Sequence, residues 1–297
     1  MSSRSNQNSI DYNYPVKLAD GVYWVGYHDP ESGLHCNPYI IIDGNEAVLV
    51  DGGSRPDFPN VMMKILQTGI HPSSIKAMVF HHYDPDLCAG IPNFEDIIGR
   101  EDLMIISDYQ NKAFIKHYSV ASRILSLEQM NHEYVFSSGR RLTFHNTPYA
   151  HSSGSFVTFD NVAKVLFSSD LFGSFGRDWD LYFEYHRECQ TCSDYENCPR
   201  QKPSCPVVDM MKFHQSIMPS NRSLKMALEI MAEIPFEMIA PQHGSVIKGA
   251  EKIIFVFKTL CNLEKVGVDS LLGERAYQSI GNIKKLTERL EQNAPNS

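Results

Sequence analysis

A buried strand that ends in three potential metal ligands constrains this sequence most. The apolar run at residues 78–80 has the length and composition of a strand. His82, Asp84 and Asp86 follow it at every second position, and Pro85 places them in a loop that leaves the strand. Such a loop is typical of metal ligands in α/β proteins, although a polar turn that caps a helix would have the same composition.

Three further strand ends finish on metal-binding side chains. His151 follows a Thr-Pro-Tyr-Ala turn, Asp170 follows the apolar strand at 165–167, and His243 lies in a Pro-Gln-His-Gly corner after the strand at 238–240. A single histidine at a strand end is usually structural. Because α/β folds place their sites at the carboxyl ends of strands, four such ends in one chain indicate a shared metal site.

The order of the apolar segments predicts the fold class. Strands joined by hairpins come first, helices follow, and the same order then repeats, which indicates an α/β (α+β) protein with two packed sheets flanked by helices. We expect strands near residues 21–26, 39–42, 47–50, 75–80, 103–106, 156–159, 165–167 and 238–240, helices near 61–66, 86–97, 108–135, 220–233, 249–264 and 273–292, and irregular structure at 178–210.

Charge and cysteine usage exclude several functions and indicate a compartment. A net charge of −8 in 297 residues argues against a nucleic-acid surface, because phosphate binding needs a basic patch. The sequence contains no run of 18 apolar residues, so no span of a membrane is predicted. The polar start has no secretory apolar region, and seven cysteines in such a chain indicate reduced thiols or metal ligands. We therefore predict a cytoplasmic protein.

Four of the seven cysteines fall within 17 residues, in a segment rich in proline and charge. Four thiolates on a surface loop can bind a structural zinc ion or an iron–sulfur cluster. A reduced insertion without metal is the alternative, because the spacing matches no common cluster motif. The cysteines are Cys189, Cys192, Cys198 and Cys205.

The ligand pattern resembles the metallo-β-lactamase superfamily, whose signature is His-x-His-x-Asp-His followed by a His, an Asp and a final His at separate strand ends. Within that superfamily the chain most resembles the flavodiiron proteins, which have a carboxylate where the hydrolases have the second His, as Asp84 does here. The Asp51-Gly-Gly corner and the runs at 170–176 and 218–222 fit the same family. The resemblance covers residues 18–262 and implies an αββα sandwich of two mixed sheets flanked by helices.

The resemblance also implies a ligand set for two iron ions. Mixed imidazole and carboxylate ligands with open positions suit Fe²⁺ better than structural zinc, although zinc also accepts carboxylates. The implied ligands are His82, Asp84, His151 and Asp170 for metal one, and Asp86, the bridging Asp170 and His243 for metal two.

Two departures from the flavodiiron pattern, and one residue inside the ligand loop, affect the predicted function. The family's His directly after the second Asp is Leu87 here, which leaves a coordination position for O₂ or NO on metal two. Tyr83 could lie over the metals as a hydrogen-bond donor, or it could pack its ring on the outer sheet. No FMN-binding flavodoxin domain is recognisable, so an iron–sulfur cluster in the cysteine segment could replace the missing electron donor.

We divide the chain into a flexible tail at 1–17, a diiron domain at 18–265 with the cysteine-rich insertion at 186–207, and a C-terminal helix at 266–297. Apolar residues recur at three- and four-residue steps between 276 and 290. This stripe is compatible with docking of the helix on its own domain or with a homodimeric coiled coil. It also resembles the helices that connect bacterial sensor domains to output modules.

Three functions are compatible with these features. The first is a non-haem diiron sensor of O₂ or NO, related to the oxygen-binding diiron proteins, with a signalling output module or a chemoreceptor as its partner. The second is an O₂ or NO reductase with an external electron donor. The third is a zinc-dependent hydrolase, in which a metal-activated water attacks an ester or a phosphodiester. Asp84 and Leu87 disfavour the third.

Overall fold

Two mixed β-sheets pack face to face in the computed structural model of the chain, which describes residues 10–29, 31, 33–118, 120–176, 178–185, 188–189 and 205–271. Strand β4 (Glu46–Val50) shows that both faces of the first sheet are buried. Val48 and Val50 point into the core between the sheets, whereas Ala47 and Leu49 point into the core beneath the outer helices. Every second residue thus faces a different core, and the strand is apolar throughout.

The first sheet has seven strands in chain order. Its first four strands are antiparallel neighbours, and the last four, from β4 onward, are parallel. The hairpin between β3 and β4 turns at Gly44, whose φ of 59° is the left-handed conformation that a tight turn requires. Besides β4, the strands are β1 (Val16–Ala19), β2 (Val22–Trp24), β3 (Tyr39–Asp43), β5 (Ile75–Val79), β6 (Met104–Ser107) and β7 (Arg123–Ser126).

The second sheet has six strands in the order β13-β12-β11-β10-β9-β8. All its neighbours are antiparallel except β11 and β12, which are parallel. The strands are β8 (Glu133–Val135), β9 (Arg141–Asn146), β10 (Phe156–Asp160), β11 (Val165–Phe167), β12 (Met238–Ala240) and β13 (Ile247–Lys248).

Helices cover the outer faces of both sheets and complete the predicted αββα sandwich, which is confirmed. Helices α1 and α3 pack on the first sheet, and α5, α6 and α7 pack on the second. Helix α6 begins where the sequence predicts, because the Ser220 hydroxyl accepts a hydrogen bond from the Ser223 amide at 3.2 Å. The helices are α1 (Phe58–Gln67), α2 (Pro85–Cys88), α3 (Ile91–Ile98), α4 (Lys112–Ile115), α5 (Pro206–Ile217), α6 (Asn221–Ala232) and α7 (Ala250–Cys261).

Two stretches differ from the sequence-based expectation. The prediction of a mainly helical segment at 108–135 was wrong: it contains the single turn α4 and the edge strands β7 and β8. Strands of three and four residues are too short to show a period of two. Irregular structure was predicted up to residue 210, but helix α5 begins at Pro206, a residue favoured at the first helical position.

The proposed helix at 273–292 and residues 1–9 lie outside the described residues, so the predicted domain limits and the dimer remain predictions. Within the described ranges, no helix is both long and apolar enough to cross a membrane.

Candidate metal centre

The six predicted ligands converge between the two sheets. His82 lies in the loop after β5, Asp84 directly precedes α2, and Asp86 lies in the first turn of that short helix. The other three ligands follow strands of the second sheet: His151 after β9, Asp170 after β11 and His243 after β12.

One half of the centre contains His82, His151 and Asp170, whose ligand atoms all lie within 4.8 Å of one another. The Nε2 atom of His151 is 3.0 Å from Oδ2 of Asp170, and Nε2 of His82 is 4.0 Å from the same oxygen. Asp84 joins this half, since its Oδ2 atom is 3.7 Å from Nε2 of His82 and 3.6 Å from Nε2 of His151. Two imidazoles and two carboxylates thus surround one position.

The other half contains Asp86 and His243, with Nε2 of His243 3.0 Å from Oδ2 of Asp86 and 3.6 Å from Oδ1 of Asp170. Cys36 also belongs to this half, because its thiol lies within 4.8 Å of ligand atoms of Asp86 and His243. Sequence reasoning missed Cys36, and no motif or spacing marks it. The two oxygens of Asp170 therefore face two different ligand groups.

Hydrogen bonds orient two of the imidazoles toward the centre. Nδ1 of His243 donates to the backbone carbonyl of His35 at 3.2 Å, and Nδ1 of His82 is 3.1 Å from the Ser169 hydroxyl. These contacts leave the Nε2 atoms facing the carboxylates. Metal-binding histidines commonly use one ring nitrogen for the ion and the other for such a hydrogen bond.

Two buried polar atoms in the centre lack the partners that buried polar groups normally have. Nε2 of His82 and Oδ1 of Asp170 find no hydrogen-bond partner among the residues that the structure describes. Both atoms face the space between the ligands, where a cation would satisfy them. The donor set therefore fits metal ions.

The charges of the centre shift the pKa values of its members in the directions that a set of close ion pairs requires. Burial opposes protonation of His243, but the Asp170 charge and contacts with Asp86 and Cys36 outweigh it and raise its pKa well above the usual value. Burial would raise the pKa of Asp170, yet the nearby histidines, His82 and His243 foremost, hold it far below its usual range. A metal ion must displace these protons, so binding is expected to release them.

Two other histidines position the ligand loops. His81 uses both ring nitrogens inside the core, at 2.6 Å from Oδ2 of Asp51 and 2.8 Å from the Thr158 hydroxyl. The Asp51 corner of the sequence pattern thus holds the backbone just before His82. His214 of α5 accepts a hydrogen bond from the Phe172 amide at 3.0 Å, which fixes the turn that follows Asp170.

The neutral state of His214 has a consequence for stability in acid. Burial lowers the pKa of His214 to about 4, whereas an unfolded histidine titrates near 6.5. The unfolded chain therefore binds the extra proton between about pH 6.5 and 4, and the free energy of unfolding falls as the pH falls through that window, by up to about 1.4 kcal/mol per pH unit. Urea unfolding of the metal-free protein between pH 6.5 and 4 should show a shallower fall for His214→Gln. Equal slopes for the two proteins would contradict the prediction.

Tyr83 and Leu87 lie beside the ligand loop. The ring of Tyr83 stacks on Phe114 of helix α4, with centroids 4.3 Å apart. Leu87 is fully buried in the core beneath the outer helices. Their predicted roles at a gas pocket stay predictions.

The structure describes Cys189 and Cys205, both half-buried, whereas Cys192 and Cys198 lie outside the described residues. The predicted cluster of four cysteines therefore stays a prediction.

Fold and ligand geometry define a metallo-β-lactamase-type sandwich with a His/Asp centre between the strand ends. The chain belongs to the ODP family of β-lactamase-like proteins: the model described as "ODP family beta lactamase" matches residues 34–244. The matched range contains all six predicted ligands and Cys36.

Solved structures with the same fold include sensors and oxidoreductases. The apo state of chemotaxis sensor ODP from T. denticola is 24% identical, with a TM-score of 0.68 over 86% of this chain and 96% of that one. Rubredoxin oxygen:oxidoreductase from Desulfovibrio gigas is 21% identical, with a TM-score of 0.68 over 84% of this chain and 61% of that one. Type A flavoprotein fprA of Rhodobacter capsulatus is 23% identical over 79% of this chain, which spans about half, 52%, of that relative.

Proposed function

We propose that this chain holds two iron ions between its sheets and binds a diatomic gas, O₂ or NO, as a sensor. The observation that carries the proposal is the Asp170 carboxylate, whose two oxygens face separate ligand groups at 3.0 Å and 3.6 Å. A carboxylate that can bridge two ions is expected of a two-metal site, in which the ions lie about 3.5–4 Å apart.

The donor set decides which ions suit the centre. Imidazoles and carboxylates with open positions favour Fe²⁺, and bound Fe²⁺ would supply the electron density with which a diatomic gas is held. The assigned ligands are His82, Asp84, His151 and Oδ2 of Asp170 for one ion, and Asp86, His243 and Oδ1 of Asp170 for the other.

The chain's own residues would keep a gas site accessible and dry. Leu87 offers no ligand atom at the position where related hydrolases have a histidine, which leaves metal two a coordination position. The ring of Phe213 lies against His243, with centroids 5.6 Å apart, and gives this half an apolar wall. An apolar wall excludes water but accepts an uncharged diatomic gas.

The relatives support a sensor as the leading function and a reductase as the alternative. The T. denticola protein is a chemotaxis sensor, and its alignment with this chain covers 86% of this chain and 96% of that one. The alternative, an O₂ or NO reductase with an external electron donor, is supported by the likeness to rubredoxin oxygen:oxidoreductase. The partner would be an output module or chemoreceptor in one case and an electron donor in the other. The proposal for the His/Asp centre does not depend on an iron–sulfur or zinc site at the cysteine segment.

An optical experiment tests the proposal. The protein is loaded with Fe²⁺ without oxygen, and absorption spectra are recorded before and after O₂ is admitted. We expect two ions per centre, a new visible band that persists, and uptake of about one O₂ per iron pair. A Zn²⁺-loaded sample is the control, because zinc has no accessible redox change and should show no band.

Two results would contradict the sensor. Rapid, continued consumption of O₂ or NO with an added reductant would identify a reductase. Two zinc ions after growth with iron available, together with ester hydrolysis, would identify a hydrolase.

A further inference from the structure

Cys36 lies beside the proposed position of metal two, which has three assigned protein ligands where metal one has four. Its side chain is 9% exposed, and its thiol belongs to the same ligand group as Asp86 and His243. Oδ1 of Asp170, which has no hydrogen-bond partner in the described part of the chain, faces this half at 3.6 Å from His243. A thiol, an imidazole and two carboxylates therefore surround one position.

Hydrogen bonds fix Cys36 relative to His243. The two residues form an isolated antiparallel bridge. On the next residue, Asn37, the backbone amide donates to the Gln242 carbonyl at 2.8 Å, and the side-chain amide donates to the carbonyls of Pro241 at 3.0 Å and Gly244 at 2.8 Å. The segment that carries the thiol and the corner that carries the imidazole are thus held together as one unit.

Packing alone does not require a thiol at the position of Cys36. An apolar side chain of similar size would fill the same volume, whereas a thiol adds a soft ligand atom that becomes an anion on metal binding. The carbonyl of His35, just before Cys36, also accepts the Nδ1 hydrogen of His243 at 3.2 Å. One short segment therefore orients the imidazole and delivers a second ligand atom beside it.

We infer that the Cys36 thiolate is the fourth protein ligand of metal two, in the coordination sphere that lacks a histidine because of Leu87. The inference rests on the proposed two-metal function. On coordination the S–H bond breaks, an Sγ–metal bond forms and the proton leaves to solvent, with no change of oxidation state. Each ion then has four protein ligands, and because iron accepts more than four, positions for a gas remain.

A sulfur ligand on one ion makes the two metals unequal. Metal one has only nitrogen and oxygen ligands, whereas metal two gains a soft donor that favours thiophilic ions. The two positions should therefore fill in sequence rather than together, and only one of them should show the optical signature of a metal–thiolate bond.

Cobalt binding tests this inference. Metal-free wild type, Cys36→Ser and Cys88→Ser are titrated with Co²⁺, and we record bound ions and the near-ultraviolet thiolate-to-cobalt charge-transfer band. Cys88 is the matched control, since it is also buried but its Sγ atom faces the His82 carbonyl at 3.5 Å. We expect Cys36→Ser to lose part of the band. It should also bind one of the two ions about 10- to 100-fold more weakly, because even substitutions of residues that only hydrogen-bond to metal ligands lower metal affinity by that factor. Cys88→Ser should match wild type.

The outcomes separate the inference from the proposed function. Any absorption from cobalt bound at the cysteine-rich segment is the same in all three proteins. The difference between the spectra of wild type and Cys36→Ser therefore reports Cys36 alone. Two bound ions with an unchanged band in Cys36→Ser would overturn the thiolate ligand while the two-metal site stands. Failure of wild type to bind two ions at the His/Asp centre would overturn the proposed function itself. If Cys36→Ser does not fold, as judged by circular dichroism, Cys36→Asp replaces it and should retain two ions while losing the part of the band that Cys36 supplies.

Discussion

Replacement of Asp170 by Asn is expected to abolish dinuclear metal binding. Asp170 is the residue whose two oxygens face both ligand groups, so one substitution removes a negative charge from both positions. Two unit charges 4 Å apart interact by about 4 kcal/mol at the effective dielectric constant of a protein surface. We therefore expect the affinity of each ion to fall at least about 100-fold, and the optical response of the iron-loaded protein to O₂ to disappear.

Equilibrium dialysis followed by metal analysis measures this effect. Asp209→Asn is the matched control, because Asp209 is a half-buried carboxylate of α5 outside the ligand set. Circular dichroism of the metal-free proteins separates loss of ligands from loss of fold. If Asp170→Asn still bound two ions with unchanged affinity, the bridging role of Asp170 would be wrong.

Replacement of Arg140 by Ala is expected to cause a large loss of stability without touching the ligands. The Arg140 guanidinium binds both oxygens of Asp160 and donates to the backbone carbonyl of Asp20 at 3.0 Å. Asp160 is fully buried. Removal of one partner leaves the other charge buried and uncompensated, which typically costs about 3–5 kcal/mol. Chemical denaturation should show this decrease in the free energy of unfolding.

The neighbouring residue supplies the control. Arg141 pairs with Glu133 at 3.2 Å, but both side chains are exposed to solvent. Exposed ion pairs contribute about 0–1 kcal/mol, so Arg141→Ala should change stability by no more than that. Equal losses in the two variants would contradict the importance of burial for the Arg140–Asp160 pair.

Much of the fold and the centre could be predicted from sequence because each ligand is attached to a strong local signal. His82, Asp84 and Asp86 follow an apolar strand at alternate positions, and His243 lies in a short corner after another strand. The structure brings these residues to one place, as the rule on strand ends predicts.

Features that depend on contacts distant in sequence could not be predicted. Cys36 lies in the loop before β3 and reaches the centre only through its bridge to His243, a residue on the opposite sheet. Edge strands β7 and β8 were missed because pairing with their neighbours, rather than periodicity, defines them. Helix α5 was missed because its first residues follow directly on the cysteine-rich insertion.

The division of ligands between the sheets means that bound metal ions would connect the two layers of the fold. His82, Asp84 and Asp86 follow a strand of the first sheet, whereas His151, Asp170 and His243 follow strands of the second. Ions held by both sets would cross-link the two halves of the sandwich at one edge. A change in metal–ligand distance would then act on both sheets at once.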